Sequence, residues 1–359
     1  MSRSERVLIV NPFGIGDVLF TTPVMRALKE HQPGCEVWYW CNERVQDLFR
    51  HHPDVSGVFA LSRGDLKRIG RRSGLEAARR FWGLLRGLKK ARFDAAFDFS
   101  LDHRYACILA LLRVKRRIGF DYRGRGRFLT DKLALTGYHD KHMAEYYLDL
   151  LDLIGIPAAA RMFSMHVTQS ARASARRKLQ RAGADTSGRM IGIAGGAGAS
   201  WGRDAGLKHW PAVKFAQLCD AVSEHYKAQI VLLGDASEKP IAEVISSMAR
   251  CKPFDLVGET TLPELGGVMT FLDLLVSNDG GPLHMAVALG LKTVSIFGPV
   301  DARVYGPYPV SPDHRVITYP VECRPCYRDF RMPVCGRERA CIKLIGVQDV
   351  FQAVREVLQ

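Results

Sequence analysis

Short apolar runs alternate with longer amphipathic segments along almost the whole chain. Val7–Val10, Val37–Trp40, Val58–Leu61, Ala95–Phe99 and Arg117–Phe120 have the length and residue types of strands. Val18–His31, Gly74–Lys90 and Met143–Ile154 carry apolar residues at helical spacing and predict helices. The turn-rich stretch Gly155-Ile-Pro-Ala-Ala-Ala160 interrupts the pattern, and Ser170–Gly183 predicts a polar, basic helix. The alternation then restarts. Met190–Ala194, Gln229–Leu233, Asp255–Val257, Leu274–Ser277, Thr293–Phe297 and Arg315–Thr318 predict strands, with helices at Pro211–Tyr226, Ser237–Ala249 and Pro282–Ala288. Alternating strands and helices build parallel sheets covered on both faces. Because the alternation occurs twice, the expected fold is α/β, with two doubly wound Rossmann-like domains at 1–168 and 169–346. A last helix over 347–359 is expected to pack back on the N-terminal domain. Such domains take ligands at the carboxyl ends of their strands. Two of them facing a central cleft would put one substrate on each wall.

Composition fits this picture: 359 residues suit two cores, and 47% apolar with 25% charged is ordinary for a globular protein. The longest uninterrupted apolar stretch, Ala106 to Leu112, falls far short of the roughly 20 residues of a membrane span. Met1-Ser-Arg-Ser-Glu runs straight into the first strand without a signal peptide, so a cytoplasmic location is expected. Charge changes the picture more. The net charge is +14, with eleven Lys/Arg against two acids from Ser62 to Arg92 and eight against two from Arg113 to Lys132. Such clusters attract phosphate-bearing partners, unless they form a solvated basic face. Trp82, Leu84, Leu85 and Leu88 share the first cluster. This segment would therefore either rest on a membrane surface as an amphipathic helix or turn an apolar stripe to the core and a basic back to solvent. A nucleic-acid partner is not expected, since no helix-turn-helix or RNA-binding aromatic motif accompanies the charge.

Three loops carry candidate chemistry. Asn11-Pro-Phe-Gly-Ile-Gly-Asp17 follows the first strand; Gly14 and Gly16 permit close approach of backbone to a ligand. The spacing fits neither a dinucleotide fingerprint nor a Walker A loop. Asp17 is readable as a helix N-cap or as a carboxylate placed to take a proton from a hydroxyl. Ser277-Asn-Asp279-Gly-Gly-Pro-Leu-His284 joins a buried strand to an apolar helix, with Asp279, Gly280, Gly281 and Pro282 leaving the helix N-terminus open to a diphosphate. Gly195-Gly-Ala-Gly-Ala-Ser200 ends the first strand of the second half, and Lys208-His-Trp210-Pro211 offers a cation for a phosphate. Glu238, beyond a third strand end, is a candidate partner for ribose hydroxyls.

Taken together, Gly-Ile-Gly-Asp17-Val-Leu with Thr22-Pro23, Lys208-His-Trp-Pro211 and Asp279-Gly-Gly-Pro-Leu-His284 resemble the motifs of the glycosyltransferase family 9 heptosyltransferases, in order and spacing across nearly the whole chain. The resemblance implies a GT-B fold and an inverting transfer from an ADP-heptose donor to the lipopolysaccharide inner core, with no catalytic metal or other required cofactor. It implies Asp17 as general base and Lys208 as a phosphate-binding cation, with Asp279, Gly280, Gly281 and His284 at the ADP moiety. Ser200, Glu238 and Pro282 complete the expected donor set, and Gly14, Gly16, Arg63 and Arg123 the acceptor set. An anionic glycolipid acceptor would bring the protein to the cytoplasmic face of the inner membrane. Two departures stand out: a long loop, Gly202–Leu207, ahead of Lys208, and Pro282 where the family has a plain apolar residue. The alternatives are another nucleotide sugar or acceptor, or a nucleotide-sugar epimerase.

Nine cysteines in a chain expected in the cytoplasm argue for thiols. Cys35, Cys41, Cys107, Cys219 and Cys251 read as small core residues. Cys323-Arg-Pro-Cys326 with Cys335 and Cys341 has the count and spacing of a structural zinc or iron site, and equally of four free thiols.

Overall fold

A computed structural model describes residues 5–158 and 161–359, without the side chains of residues 199, 200 and 203. Ser200 therefore lies outside the described side chains. The chain divides into two compact units, Met1–His166 and Val167–Gln359.

The first unit carries one six-stranded sheet of β1 (Arg6–Val10), β2 (Glu36–Cys41), β3 (Gly57–Ala60), β4 (Ala95–Asp98), β5 (Arg116–Tyr122) and β6 (Asp131–Leu135). The second carries β7 (Met190–Ala194), β8 (Gln229–Leu232), β9 (Phe254–Asp255), β10 (Leu274–Asn278), β11 (Thr293–Ile296) and β12 (His314–Ile317). Both sheets are parallel throughout, with orders β3-β2-β1-β4-β5-β6 and β12-β11-β10-β7-β8-β9. Counted within its own unit, each sheet has the order 3-2-1-4-5-6, the doubly wound arrangement in which the winding reverses between strands 1 and 4. The central strands are apolar on both faces because helices cover both: β7 and β10 are buried at every position. β6 carries little apolar signal because it is an edge strand; of Asp-Lys-Leu-Ala-Leu only Leu135 is fully buried.

The predicted helix Val18–His31 is two helices, Ile15–Leu19 and Thr22–His31. Pro23 has no N–H to continue the ladder, and the Leu19 carbonyl accepts the Thr22 hydroxyl instead, at 2.7 Å. The last helix, Val347–Leu358, corrects an expectation. Its apolar stripe Val350, Ala353, Val354 and Val357 enters the core of the second unit, among residues of β10, β11 and helix Ala212–Tyr226. That burial, about 1.5–3 kcal/mol for each valine, places the helix on the second unit.

Helix Gly74–Ala91 sends Leu84, Leu88 and Ala91 into a cluster with Leu8 and Val10 of β1 and Tyr105, Leu109 and Val114. Trp82 points outward and is exposed, so the apolar residues of the basic segment do not form a single stripe.

Candidate active site

In each unit the loops of interest leave the sheet where the winding reverses. In the first, β1 lies beside β4 with Val10 opposite Asp98. The loop after β1 is pinned from two sides. The buried Asn11 amide donates to the Asp17 carbonyl at 3.0 Å and its oxygen accepts the Phe13 N–H at 3.2 Å. Asn42, just past β2, donates to the carbonyls of Pro12 and Phe13 at 3.0 and 2.5 Å. Asp17 is the third residue of its short helix and Gly14 is the N-cap; the Asp17 carboxylate accepts the Gly14 N–H at 3.0 Å. The N-cap reading of Asp17 is thereby corrected to a carboxylate that reaches back over the first turn. Gly16 lies inside that turn.

The neighbouring strand ends on a group the sequence reading passed over. Asp98 is buried, accepts the Ser100 N–H at 2.9 Å, and is pushed up to about 6 by its burial. Its only sequence signal is an acid at the end of an apolar strand. Arg63 opens helix Arg63–Gly70 after β3, where its N–H donates to the Tyr105 hydroxyl at 3.1 Å and its guanidinium stands 3.6 Å from Asp102. Arg123 follows β5 and lies 4.9 Å from the centre of the Tyr122 ring. Asp17, Arg63 and Arg123 thus share the carboxyl-end edge of one sheet, the edge at which such sheets take ligands.

In the second unit the reversal falls between β7 and β10, with Ala194 opposite Ser277. Two loops meet there so closely that side chains are excluded. A Cβ on Gly280 would stand 3.1 Å from the Ala197 carbonyl oxygen, and one on Gly196 would stand 1.6 Å from Glu238 Oε1. Asn278, fully buried, ties three segments together. Its amide donates to the carbonyls of Gly195 and Gly196 at 2.6 and 3.2 Å, and its oxygen accepts the Trp210 N–H at 3.1 Å. Nothing in the sequence announces this role for Asn278, because its partners lie 68 to 83 residues away. Glu238 binds loops as well: its two oxygens accept the N–H groups of Gly198 and Asp235, both at 3.0 Å. Burial, the larger influence, raises its pKa against those two donors.

Helix Gly281–Ala288 begins at this junction with Gly280 as its N-cap, no capping side chain, and Pro282 in its first turn. Its first N–H groups and positive dipole end are therefore open to an anion. Beside it sits a buried ion pair. Lys208, 2% exposed, holds its ammonium 2.7 Å from Asp279 Oδ2 and 4.1 Å from the centre of the Trp201 ring. Trp201 had no part in the sequence reading; the contact exists because the segment Ala199–Lys208 folds into tight 3₁₀ turns kinked at Gly202. The long loop ahead of Lys208 thus serves to bring an aromatic face to the lysine. His284 is buried one turn into the helix.

The four C-terminal cysteines line one cavity of about 580 Å³ with Arg328, Arg337 and Arg339. Cys326 donates to the Cys323 carbonyl at 3.0 Å, and the Arg339 N–H donates to Cys335 Sγ at 3.2 Å. Among the described residues no three His, Cys, Asp or Glu side chains converge closely enough to hold a metal ion. Of the other five cysteines, Cys35, Cys41 and Cys219 are buried and Cys107 and Cys251 half-buried.

The sequence profile of Glycosyltransferase family 9 (heptosyltransferase) matches residues 81–332, and the chain belongs to that family. Lipopolysaccharide heptosyltransferase 3 of Escherichia coli is 23% identical over 299 residues, covering 82% of this chain and 83% of its own. Among solved structures, the family 9 glycosyltransferase of Veillonella parvula DSM 2008 superposes with a TM-score of 0.83 at 19% identity, over 100% of this chain and 98% of its own. E. coli heptosyltransferase WaaC with ADP gives 0.74 at 19% identity, over 98% and 99%. The fold is GT-B, and the protein is a glycosyltransferase.

Proposed function

We propose that the protein transfers a heptose from an ADP-heptose donor to the inner core of lipopolysaccharide, with inversion and without a catalytic metal. The observation that carries this reading is the buried Lys208–Asp279 pair at the uncapped start of helix Gly281–Ala288. An ammonium carries three N–H donors; here its charge is balanced by Asp279 at 2.7 Å, so a diphosphate docked at the adjacent helix N-terminus meets the terminal N–H groups and dipole together with the ammonium's donors. Relatives' names support the sugar and acceptor: they include lipopolysaccharide and lipooligosaccharide heptosyltransferases, and one structural neighbour is heptosyltransferase WaaC with ADP.

In this reading the acceptor hydroxyl oxygen attacks the anomeric carbon as its proton passes to the Asp17 carboxylate. The new glycosidic C–O bond forms while the bond from that carbon to the phosphate oxygen breaks, and ADP leaves with the electron pair. Lys208 and the N–H groups of the helix take up the charge that develops on the departing phosphate. A single displacement of this kind inverts the anomeric centre. Asn278 and Glu238 act at one remove, holding the glycine loop in the shape that leaves the helix terminus open. Arg63 and Arg123 are suited to phosphates of an anionic acceptor.

The test is calorimetric titration of the full chain with ADP, UDP and GDP, followed by transfer from ADP-heptose to a deacylated inner-core acceptor. Selective ADP binding and a glycoside product support the reading. Preference for UDP or GDP moves the function to another sugar, and conversion of the donor without any acceptor makes the protein an epimerase.

A further inference from the structure

Asp279 meets the charge of Lys208 at 2.7 Å, so what a diphosphate gains from the lysine depends on where its remaining N–H donors point. A carboxylate contact by itself leaves that direction loose, because a lysine ammonium turns at the end of a flexible four-carbon stem. The second group against it is the Trp201 ring, whose centre lies 4.1 Å from the ammonium. An aromatic face attracts a cation, and with Lys208 only 2% exposed water is kept from it.

Trp201 rides on the loop Ala199–Lys208, whose 3₁₀ turns are kinked at Gly202 and have no long helical ladder of their own. Support comes from the segment that carries the clustered cysteines. Tyr327, next to Cys326, packs its ring at 61° to Trp201 with the ring centres 4.8 Å apart. The Arg339 guanidinium donates to the Gly206 carbonyl at 2.7 Å, and Leu207 lines the cysteine cavity. This segment is in turn fixed to the chain just past β11. Arg324 donates to the carbonyls of Gly298 and Val300 at 2.8 and 3.3 Å, and the N–H groups of Cys326 and Tyr327 donate to the Pro299 carbonyl at 2.9 and 3.2 Å. Contacts therefore run without a break from the end of β11 through Tyr327 and Trp201 to Lys208.

We infer that the segment Cys323–Cys341 forms a wall of the donor-diphosphate subsite, and that Tyr327 and Arg339 are positioning residues which act on Lys208 through Trp201 and its loop. Neither side chain need touch the nucleotide. Tyr327 seats Trp201, and Trp201 holds the ammonium so that its free donors meet phosphate oxygens. Without the ring, Asp279 keeps the lysine charged, but the ammonium turns and takes up water. The loss then falls on the phosphates and not on the base. The inference rests on Lys208 serving a diphosphate, as proposed above, and is indifferent to base and sugar.

The experiment is calorimetric titration of the full chain and its variants with ADP, UDP, GDP and the three corresponding nucleosides. Trp201→Ala should weaken binding of the preferred diphosphate by about tenfold, and Tyr327→Ala by about fivefold. Arg339→Ala should also weaken it, and the matching nucleoside should bind each variant as it binds the parent. Trp201→Phe and Tyr327→Phe keep a ring and should restore most of the affinity. Trp201→Leu keeps apolar bulk without a π face, should behave as Trp201→Ala, and decides the matter if the alanine variant fails to fold in thermal melts. In a Trp201→Ala background, Tyr327→Ala should add nothing, since it acts through the ring already removed. Unchanged diphosphate affinity in folded variants overturns the inference, as does a parallel fall for the nucleoside, or a Tyr327→Ala loss that is the same with and without Trp201. A parent that prefers UDP or GDP refutes the ADP-heptose reading while leaving this test intact, and a parent that binds no nucleoside diphosphate refutes both.

Discussion

Asp17 combines a local and a chemical role on one side chain, and substitution separates them. Its carboxylate accepts the Gly14 N–H, so Asp17→Ala should cost about 1 kcal/mol of stability as a lost cap. Asp17→Asn keeps an oxygen to accept that bond but removes the base. Both variants should lose transfer by about a hundredfold or more while binding ADP as the parent does, with Asn preserving the melting temperature. Wild-type rates in Asp17→Asn would assign the residue to structure alone. Asp98 makes a second residue-scale case. Burial raises its carboxyl from the ordinary 3.8 to about 6, so the folded state holds a proton there that the unfolded chain has released between those values. Its contribution to stability is therefore greatest below the unfolded value and is lost as pH rises through about 6, a change of about 3 kcal/mol. Asp98→Asn should lack this component. Urea melts of parent and variant at pH 4 and pH 7 should show the variant gaining on the parent at the higher pH, and parallel behaviour would refute the buried-carboxylate account. The acid at position 98 was visible in the sequence; its burial was not, since that depends on helices packed from elsewhere.

At the scale of elements, the second unit's site is a meeting of strand ends. The start of helix Gly281–Ala288 was legible from Asp279-Gly-Gly-Pro, because an Asp, two glycines and a proline at a strand-to-helix junction dictate an open N-terminus. The pairing of Asp279 with Lys208, 71 positions earlier, required the fold. Removing either partner leaves a buried charge without its counterpart, which costs about 3–5 kcal/mol. Lys208→Ala and Asp279→Ala should each destabilise the protein by that order, and the double variant by clearly less than their sum. Additive losses in denaturant melts would show that the pair is not coupled. Glu238 shows what a motif leaves unsaid: besides any ribose hydroxyl, its two oxygens each accept a backbone N–H, one from each of two loops, a role that no spacing in the sequence announces.

For the whole molecule, two sheets of the same 3-2-1-4-5-6 order place their reversal points at the Asp17 loop in one unit and the Asp279 loop in the other. If the donor nucleotide is held by the second unit, ADP should slow amide hydrogen exchange around 195–198 and 278–284 and leave the loop 11–17 unchanged. Protection confined to the first unit would reverse the assignment of donor and acceptor. At a hundredfold excess over its Kd, ADP should also stabilise the native state by about 2.7 kcal/mol, seen as a rise in melting temperature.

The sequence by itself determined the strand–helix alternation, its occurrence twice, and most core strands, because short continuous apolar runs alternating with amphipathic helices are buried on both faces of a parallel sheet. It also determined the glycine-rich junctions, where close backbone approach leaves no room for side chains. Only the tertiary structure decided the rest. Edge strand β6 carries too little apolar pattern to declare itself. The last helix packs on the unit whose core accepts its valines. Asn278 takes its role from partners 68 to 83 residues away, Asp98 from the helices that bury it, and Trp201 meets Lys208 only because the segment between them folds into tight turns. Spacing along a chain fixes local geometry, but burial and pairing arise from contacts between segments that the sequence places far apart.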